Sequence, residues 1–207
     1  GRDVQYLRQL VERIRPWMAS LPDRITPTAA QRFISLLQQP ARLGEMLRHL
    51  YDLGVLERVV PAFRHARGLL QFNAYHKFTV DEHSLRAVEA ATAMMNDTGP
   101  LGTVYRQLKR KWLLHLALLL HDLGKGFVED HSDVGLRIAA EVAVRLQLDD
   151  ADSETLKFLV HKHLNFVEDF SRPTILFFTA QRRHDAESAG VVAAHADAHP
   201  RGIGTFT

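Results

Sequence analysis

The 207-residue chain contains no cysteine. That excludes a disulfide scaffold, a thiolate nucleophile, a cysteine-type zinc site and an iron–sulfur cluster. It also fits a reducing compartment, and a cytoplasmic location is the expectation. A long apolar run is missing as well. The longest, Leu113 to Leu120, is interrupted by His115 and falls far short of the roughly 18 residues of a membrane span. Neither a membrane partner nor a secretory leader is expected. Neither charge dominates: 26 Lys and Arg face 24 Asp and Glu, a formal net charge of +2. The isoelectric point near 9.1 therefore reflects a small imbalance rather than a preference for polyanions. Basic residues interleaved with aromatics are too few for a nucleic-acid surface. Internal repeats and low-complexity segments are absent. With 46% hydrophobic and 24% charged residues, the chain can bury a core without metal or disulfide support.

What is present is helical periodicity almost throughout. Val4, Leu7, Leu10, Val11 and Ile14 recur at helix spacing, with Pro16 set against that helix. Thr26-Pro27 reads as an N-cap followed by proline at the first helical position. The next helix turns Ala30, Phe33, Ile34 and Leu37 inward and ends near Pro40. Leu43, Met46, Leu47 and Leu50 mark a third, closed by Gly54. Thr79-Val80-Asp81-Glu82 has the form of a capping box for a helix running towards Met95. Lys111 to Leu123 reads as an apolar helix stopped by Gly124, and Ser132 to Leu146 as another. Asp152 is the expected cap of a helix reaching His163. The one candidate strand is Ile175 to Phe178, so the expected fold class is all-α. Residues 1–70 read as a helical lead-in and residues 71–207 as the domain that carries the chemistry.

The 12 histidines are the unusual entry in the composition. The sharpest cluster is His121-Asp122-Leu123-Gly124-Lys125-Gly126, delivered by the apolar helix at its C-terminal end. That end carries partial negative charge, which favours a cation. A bare His-Asp pair is by itself no more than a helix end with solvated charges. Its neighbours change the weighing. His83 lies in the first turn of its own helix, His131 follows His121 by ten residues between Asp130 and Asp133, and His161 and His163 end a further helix. Ends of separate helices can converge on one ion, and imidazole with carboxylate suits Mn, Fe, Zn, Ni or Mg. Lys125 offers charge compensation to the helix end. His161 is expected at the surface. His115 is expected in the core without a partner. His65, His76, His184, His195 and His199 have little supporting context. The basic run Arg106, Lys109, Arg110 and Lys111 reads as a solvated helix end.

The order His83, His121-Asp122, late Asp resembles the HD-domain metal-dependent phosphohydrolases. Within them it is similar to the uridylyl-removing domain of bifunctional uridylyltransferase/uridylyl-removing enzymes. The stretches that carry the likeness are Tyr75 to Arg86, Leu120 to Gly126, Asp130-His131-Ser132 and Val160 to Leu164, with a looser match from Gly54 to Phe63.

This resemblance implies an all-α helical bundle holding one or two divalent ions, Mn, Fe, Mg or Zn. His83, His121 and Asp122 would be ligands, with Asp197 as the last ligand and Asp185 in reserve. His131 and His163 would hold a second ion or orient the other ligands from behind. Asp122 would also orient the attacking water, and Lys125 would meet the phosphate. The implied reaction is hydrolysis of a phosphoric ester, with a uridylylated tyrosine on the PII signalling protein as substrate and UMP as product. Other readings stay open. One is an HD phosphohydrolase of a free small nucleotide, such as a dNTP, a cyclic nucleotide or a guanosine alarmone. Another is a degenerate regulatory module without turnover. The chain starts with Gly rather than Met and has no nucleotidyltransferase signature, so it is expected to be the hydrolytic part of a larger multidomain parent.

Overall fold

A computed structural model describes residues 24–70 and 78–162, together with Glu12, Arg13, Pro16 and Ser20. The expected helix through Val4 to Ile14 falls largely outside the described residues. The strand expected at Ile175 to Phe178, and the last helix turn at His163, fall wholly outside them.

Helix α1 spans Pro27–Leu37, capped by the Thr26 hydroxyl, which accepts from the Ala29 N–H. α2 spans Pro40–Asp52 and ends before Gly54, whose φ of +72° is the left-handed turn that glycine adopts without strain. Two single-turn helices follow, α3 Leu56–Val59 and α4 Phe63–Ala66. α5 runs Val80–Ala93 and tightens into a 3-10 turn over Met94–Asn96. α6, Pro100–Gln107, was not foreseen from the periodicity. α7 is Lys111–Leu120, α8 His131–Leu146 and α9 Asp150–Lys162. Among the described residues there is no strand, and the fold is all-α.

The structure corrects several expectations. The capping box at Thr79 does not form: the Thr79 side chain makes no cap bond, and Glu82 pairs instead with Arg48 and Arg86. The helix still begins where expected, because Asp81 and Glu82 favour the positive end of the helix dipole. α7 stops at Leu120 rather than Leu123, so His121 to Gly126 form turns beyond the helix. The cap role expected of Asp152 falls to Asp149, whose carboxylate accepts the Asp152 N–H; the Asp152 side chain pairs with Arg110. The basic run is solvated at Arg106 and Lys109, as expected, but three of its members also make specific bonds. Arg106 donates to backbone oxygens of Met95 and Asp97, Arg110 to Asp152, and the Lys111 ammonium to the carbonyls of Arg106 and Leu108.

One hydrophobic core runs from Ala30 in α1 to Val160 in α9. At its centre lies α7, buried on every side from Leu113 to Leu120, as expected for a helix without a polar face. α5, α9, α1 and α8 pack around it. Each fully buried leucine of this helix adds about 1.5–3 kcal/mol. The packing fixes the height at which α7 ends, and therefore where His121 and Asp122 stand. Gly124 brings the following turn against α8: a Cβ there would lie 2.2 Å from the His131 carbonyl oxygen and 2.7 Å from the Gly135 nitrogen.

Candidate metal centre

The end of α7 and the first turn of α5 meet at three side chains. Nε2 of His83 lies 3.1 Å from Nε2 of His121. Oδ2 of Asp122 is 3.3 Å from the first and 3.5 Å from the second. All three side chains are largely buried. This is the one cluster of three or more potential ligands among the described residues.

The donor chemistry fits a divalent ion. The His121 Nδ1–H donates to the Leu118 carbonyl at 2.7 Å, one of the carbonyls that the end of a helix leaves without an intrahelical partner. That bond fixes the tautomer, so the Nε2 lone pair points at His83 and Asp122, the arrangement typical of metal-ligating histidine. Atoms that share one ion at about 2.1 Å, with angles between about 90° and 115°, stand about 3.0–3.5 Å apart. The three measured separations fall in that range. Two imidazoles and a carboxylate suit Mn, Fe or Zn, with no soft ligand to select copper(I).

Lys125 approaches the same carboxylate. Its Nζ lies 2.8 Å from Oδ2 of Asp122, so the ammonium and the two imidazoles converge on one oxygen. The turn is compact here, with Lys125 N–H donating to the Asp122 carbonyl. Beyond it Gly126 takes φ +83°, and Phe127 packs on the His65 ring with centroids 4.0 Å apart.

His131 stands at the first position of α8, half-buried, and is not gathered into the three-ligand cluster. Its neighbour Asp130 caps α8 by accepting from the Ser132 and Asp133 N–H groups, and those backbone bonds hold its carboxyl below the ordinary range. His163, Asp185 and Asp197 lie outside the described residues, as do His76, His184, His195 and His199. His161 is not a surface residue: it is half-buried, with Nδ1 shut off from solvent. His115 is in the core as expected, yet it is partnered. Its Nδ1–H donates to the Leu37 carbonyl and its Nε2 accepts from the Tyr105 hydroxyl, both at 2.8 Å.

Sequence reasoning missed the residues that brace His83. Asp81 is buried and accepts from the Tyr51 hydroxyl, from the Gly68 and Glu82 N–H groups at 2.9 Å each, and from Thr79. Burial alone would push its carboxyl up; these hydrogen bonds outweigh it and hold the group below its usual value. Glu82 receives both Nη atoms of Arg48, at 3.0 and 3.2 Å, and that pairing lowers its carboxyl; Arg48 also bonds Glu89, and the Glu89 bond first, with Glu82 second, raises the guanidinium. The available signal was the placement of Arg48 and Tyr51 one helical turn apart, opposite two acids that directly precede a histidine.

Comparison with known proteins agrees with the geometry. A family profile described as HD domain matches residues 80–199. The bifunctional uridylyltransferase/uridylyl-removing enzyme of Ruegeria pomeroyi is 40% identical over 141 residues, covering 66% of this chain and 16% of that protein. Its namesake in Haemophilus influenzae is 31% identical over 179 residues, 82% of this chain and 20% of that protein. The one in Pasteurella multocida is 32% identical over 170 residues, 78% and 18% respectively. The chain thus spans no more than a fifth of the length of these relatives. No described helix is long and apolar enough to cross a membrane. By the profile match, the likeness to these enzymes and the convergence of His83, His121 and Asp122, the chain belongs to the HD-domain family of metal-dependent phosphohydrolases.

Proposed function

We propose that the chain removes uridylyl groups from a PII-type signalling protein, releasing UMP and leaving a free tyrosine. The observation that carries this reading is the His83–His121–Asp122 cluster, in a stretch that aligns with enzymes whose names include that activity. His83, His121 and Asp122 hold a divalent ion, Mn, Fe, Mg or Zn. Asp197, with Asp185 in reserve, completes the shell, and His131 and His163 serve a second ion or orient the other ligands. When bound, the ion supplies Lewis acidity, which stabilises charge on the phosphoryl oxygens and makes water a stronger acid near neutral pH.

The chain's own groups do the rest. The Leu118 carbonyl keeps His121 in the tautomer that presents its Nε2 lone pair. Asp122 accepts a hydrogen bond from the attacking water and aims it at phosphorus. Lys125, already beside Asp122, offsets negative charge growing on the phosphate. Water adds across the tyrosyl ester: its oxygen bonds to phosphorus, the P–O bond to the tyrosine breaks, and the proton goes to the departing phenolate. The products are UMP and the bare tyrosine. A larger multidomain parent and a cytoplasmic location accord with this activity.

The test is incubation of uridylylated PII with the chain and Mn²⁺, following UMP by chromatography. UMP release that stops on chelation supports the reading. Turnover of a dNTP, cyclic nucleotide or guanosine alarmone without UMP release would transfer the site to small nucleotides. Bound metal with hydrolysis of none of these esters would make it a regulatory module.

A further inference from the structure

The two residues immediately before His83 are both held by α2, a helix that the sequence placed in the lead-in. Tyr51 binds Asp81, and Arg48 binds Glu82 through both ends of its guanidinium. The two α2 residues sit three positions apart, on one face, and α2 packs along α5. Tyr51 is itself fixed. Its ring meets Phe63 edge-on at 6.3 Å and lies 3.9 Å beneath the Arg67 guanidinium, which donates to the Tyr51 carbonyl and is anchored by Glu57. Asp81 also ties the loop after α4 through Gly68. Successive helical residues point about 100° apart, so two neighbouring grips resist both sliding and rotation of the first turn of α5. A helix could be joined to the core by apolar contacts alone. Here two carboxylates directly precede the His83 ligand, Asp81 held by Tyr51 and Glu82 held by Arg86 and by Arg48, whose guanidinium also grips Glu89.

We propose that Tyr51 and Arg48 are positioning residues of the metal centre, acting through Asp81 and Glu82 to fix the His83 imidazole against His121 and Asp122. The proposal rests on the reading of His83 as a ligand.

The experiment measures Co²⁺ affinity by chelator competition, and the visible absorption of the Co²⁺-loaded full chain, in four proteins: the unmodified chain, His83→Ala, Tyr51→Phe and Tyr105→Phe. Tyr105→Phe deletes the same hydroxyl from a buried tyrosine that contacts His115 rather than the acids preceding His83. It controls for lost stability. Expected are near-complete loss of binding in His83→Ala, about tenfold weaker binding with an altered Co²⁺ spectrum in Tyr51→Phe, and unchanged affinity and spectrum in Tyr105→Phe. Unimpaired binding by His83→Ala overturns the ligand reading itself. Impaired His83→Ala with a Tyr51→Phe protein indistinguishable from the unmodified chain overturns the positioning proposal and leaves the ligand reading standing. Equal loss in both tyrosine variants also overturns it, since general destabilisation would then account for the effect. Should Tyr51→Phe not fold, Arg48→Lys, which keeps the charge and loses the two-pronged grip, is measured against the same expectations.

Discussion

Acidification should loosen this protein through a single core histidine. His115 has no exposed surface. It bridges three helices, bonding the last carbonyl of α1 and Tyr105 of α6 from its place in α7. Burial lowers its pKa to about 4, and the nearby Lys111 ammonium adds to the effect against the Leu37 hydrogen bond. Protonating Nε2 would reverse the Tyr105 hydroxyl from donor to acceptor inside an apolar helix bundle. In the unfolded chain the same imidazole titrates near 6.5. The folded value is thus depressed. Above about pH 6.5 the histidine is neutral in both states and its contribution to stability is fully present. As the pH falls from about 6.5 towards 4, the unfolded chain takes up a proton that the folded chain refuses, and stability is lost. The full difference of about 2.5 units corresponds to about 3 kcal/mol, of which about 2–2.5 is gone by pH 4.5. That is a large share of the stability of a typical domain. His115→Gln keeps a donor for Leu37 and an acceptor for Tyr105 without the titration. Urea unfolding of both proteins at several pH values between 7 and 4.5 isolates the term, because the carboxylates common to both cancel. The stability gap between the two should shift by about 2 kcal/mol in favour of the variant as the pH drops. A gap independent of pH would show that His115 accepts a proton freely in the fold and refute the argument.

Three further outcomes follow from the geometry. Lys125→Met should lower kcat/KM for the phosphoric ester by about a hundredfold while Co²⁺ affinity holds or tightens, since the ammonium 2.8 Å from Asp122 Oδ2 repels an incoming cation; chelator competition beside steady-state kinetics checks it. Gly124→Ala should destabilise the protein by at least about 1–3 kcal/mol, read as a drop in melting temperature, because the new methyl meets the His131 carbonyl at 2.2 Å. Mn²⁺ at about 100 times its Kd should raise stability by about 2.7 kcal/mol in the unmodified chain and not in His121→Ala, measured by thermal unfolding with and without EDTA.

How much of this was legible in the sequence depended on how local the signal is. Thr26-Pro27 fixes its helix start by contacts within three residues, and the structure has them. The start of α5 was legible at Thr79-Val80-Asp81-Glu82, though its energetic reason was not: Glu82 is drawn to Arg48, 34 positions away. His115 shows the same limit. Nothing nearby in sequence hints that Leu37, 78 positions earlier, offers its carbonyl. The end of α7 was placed three residues late because Gly124 is the visible stop signal, whereas the chain leaves the helix at His121 and Gly124 serves a close approach to α8. At the site, His83 and the His121-Asp122 pair were readable because motif order specifies them. The braces on His83 were not, because a tyrosine and an arginine on a neighbouring amphipathic helix look like ordinary surface residues until the helices are docked.

The central claim is that His83, His121 and Asp122 form a metal centre. Its most direct test is metal content, by mass spectrometry, of the purified chain equilibrated with Mn²⁺ or Fe²⁺ and desalted, beside Asp122→Ala treated in the same way. The account predicts at least one ion retained per unmodified chain and none in the variant. Equal metal in both, or none in either, would contradict it.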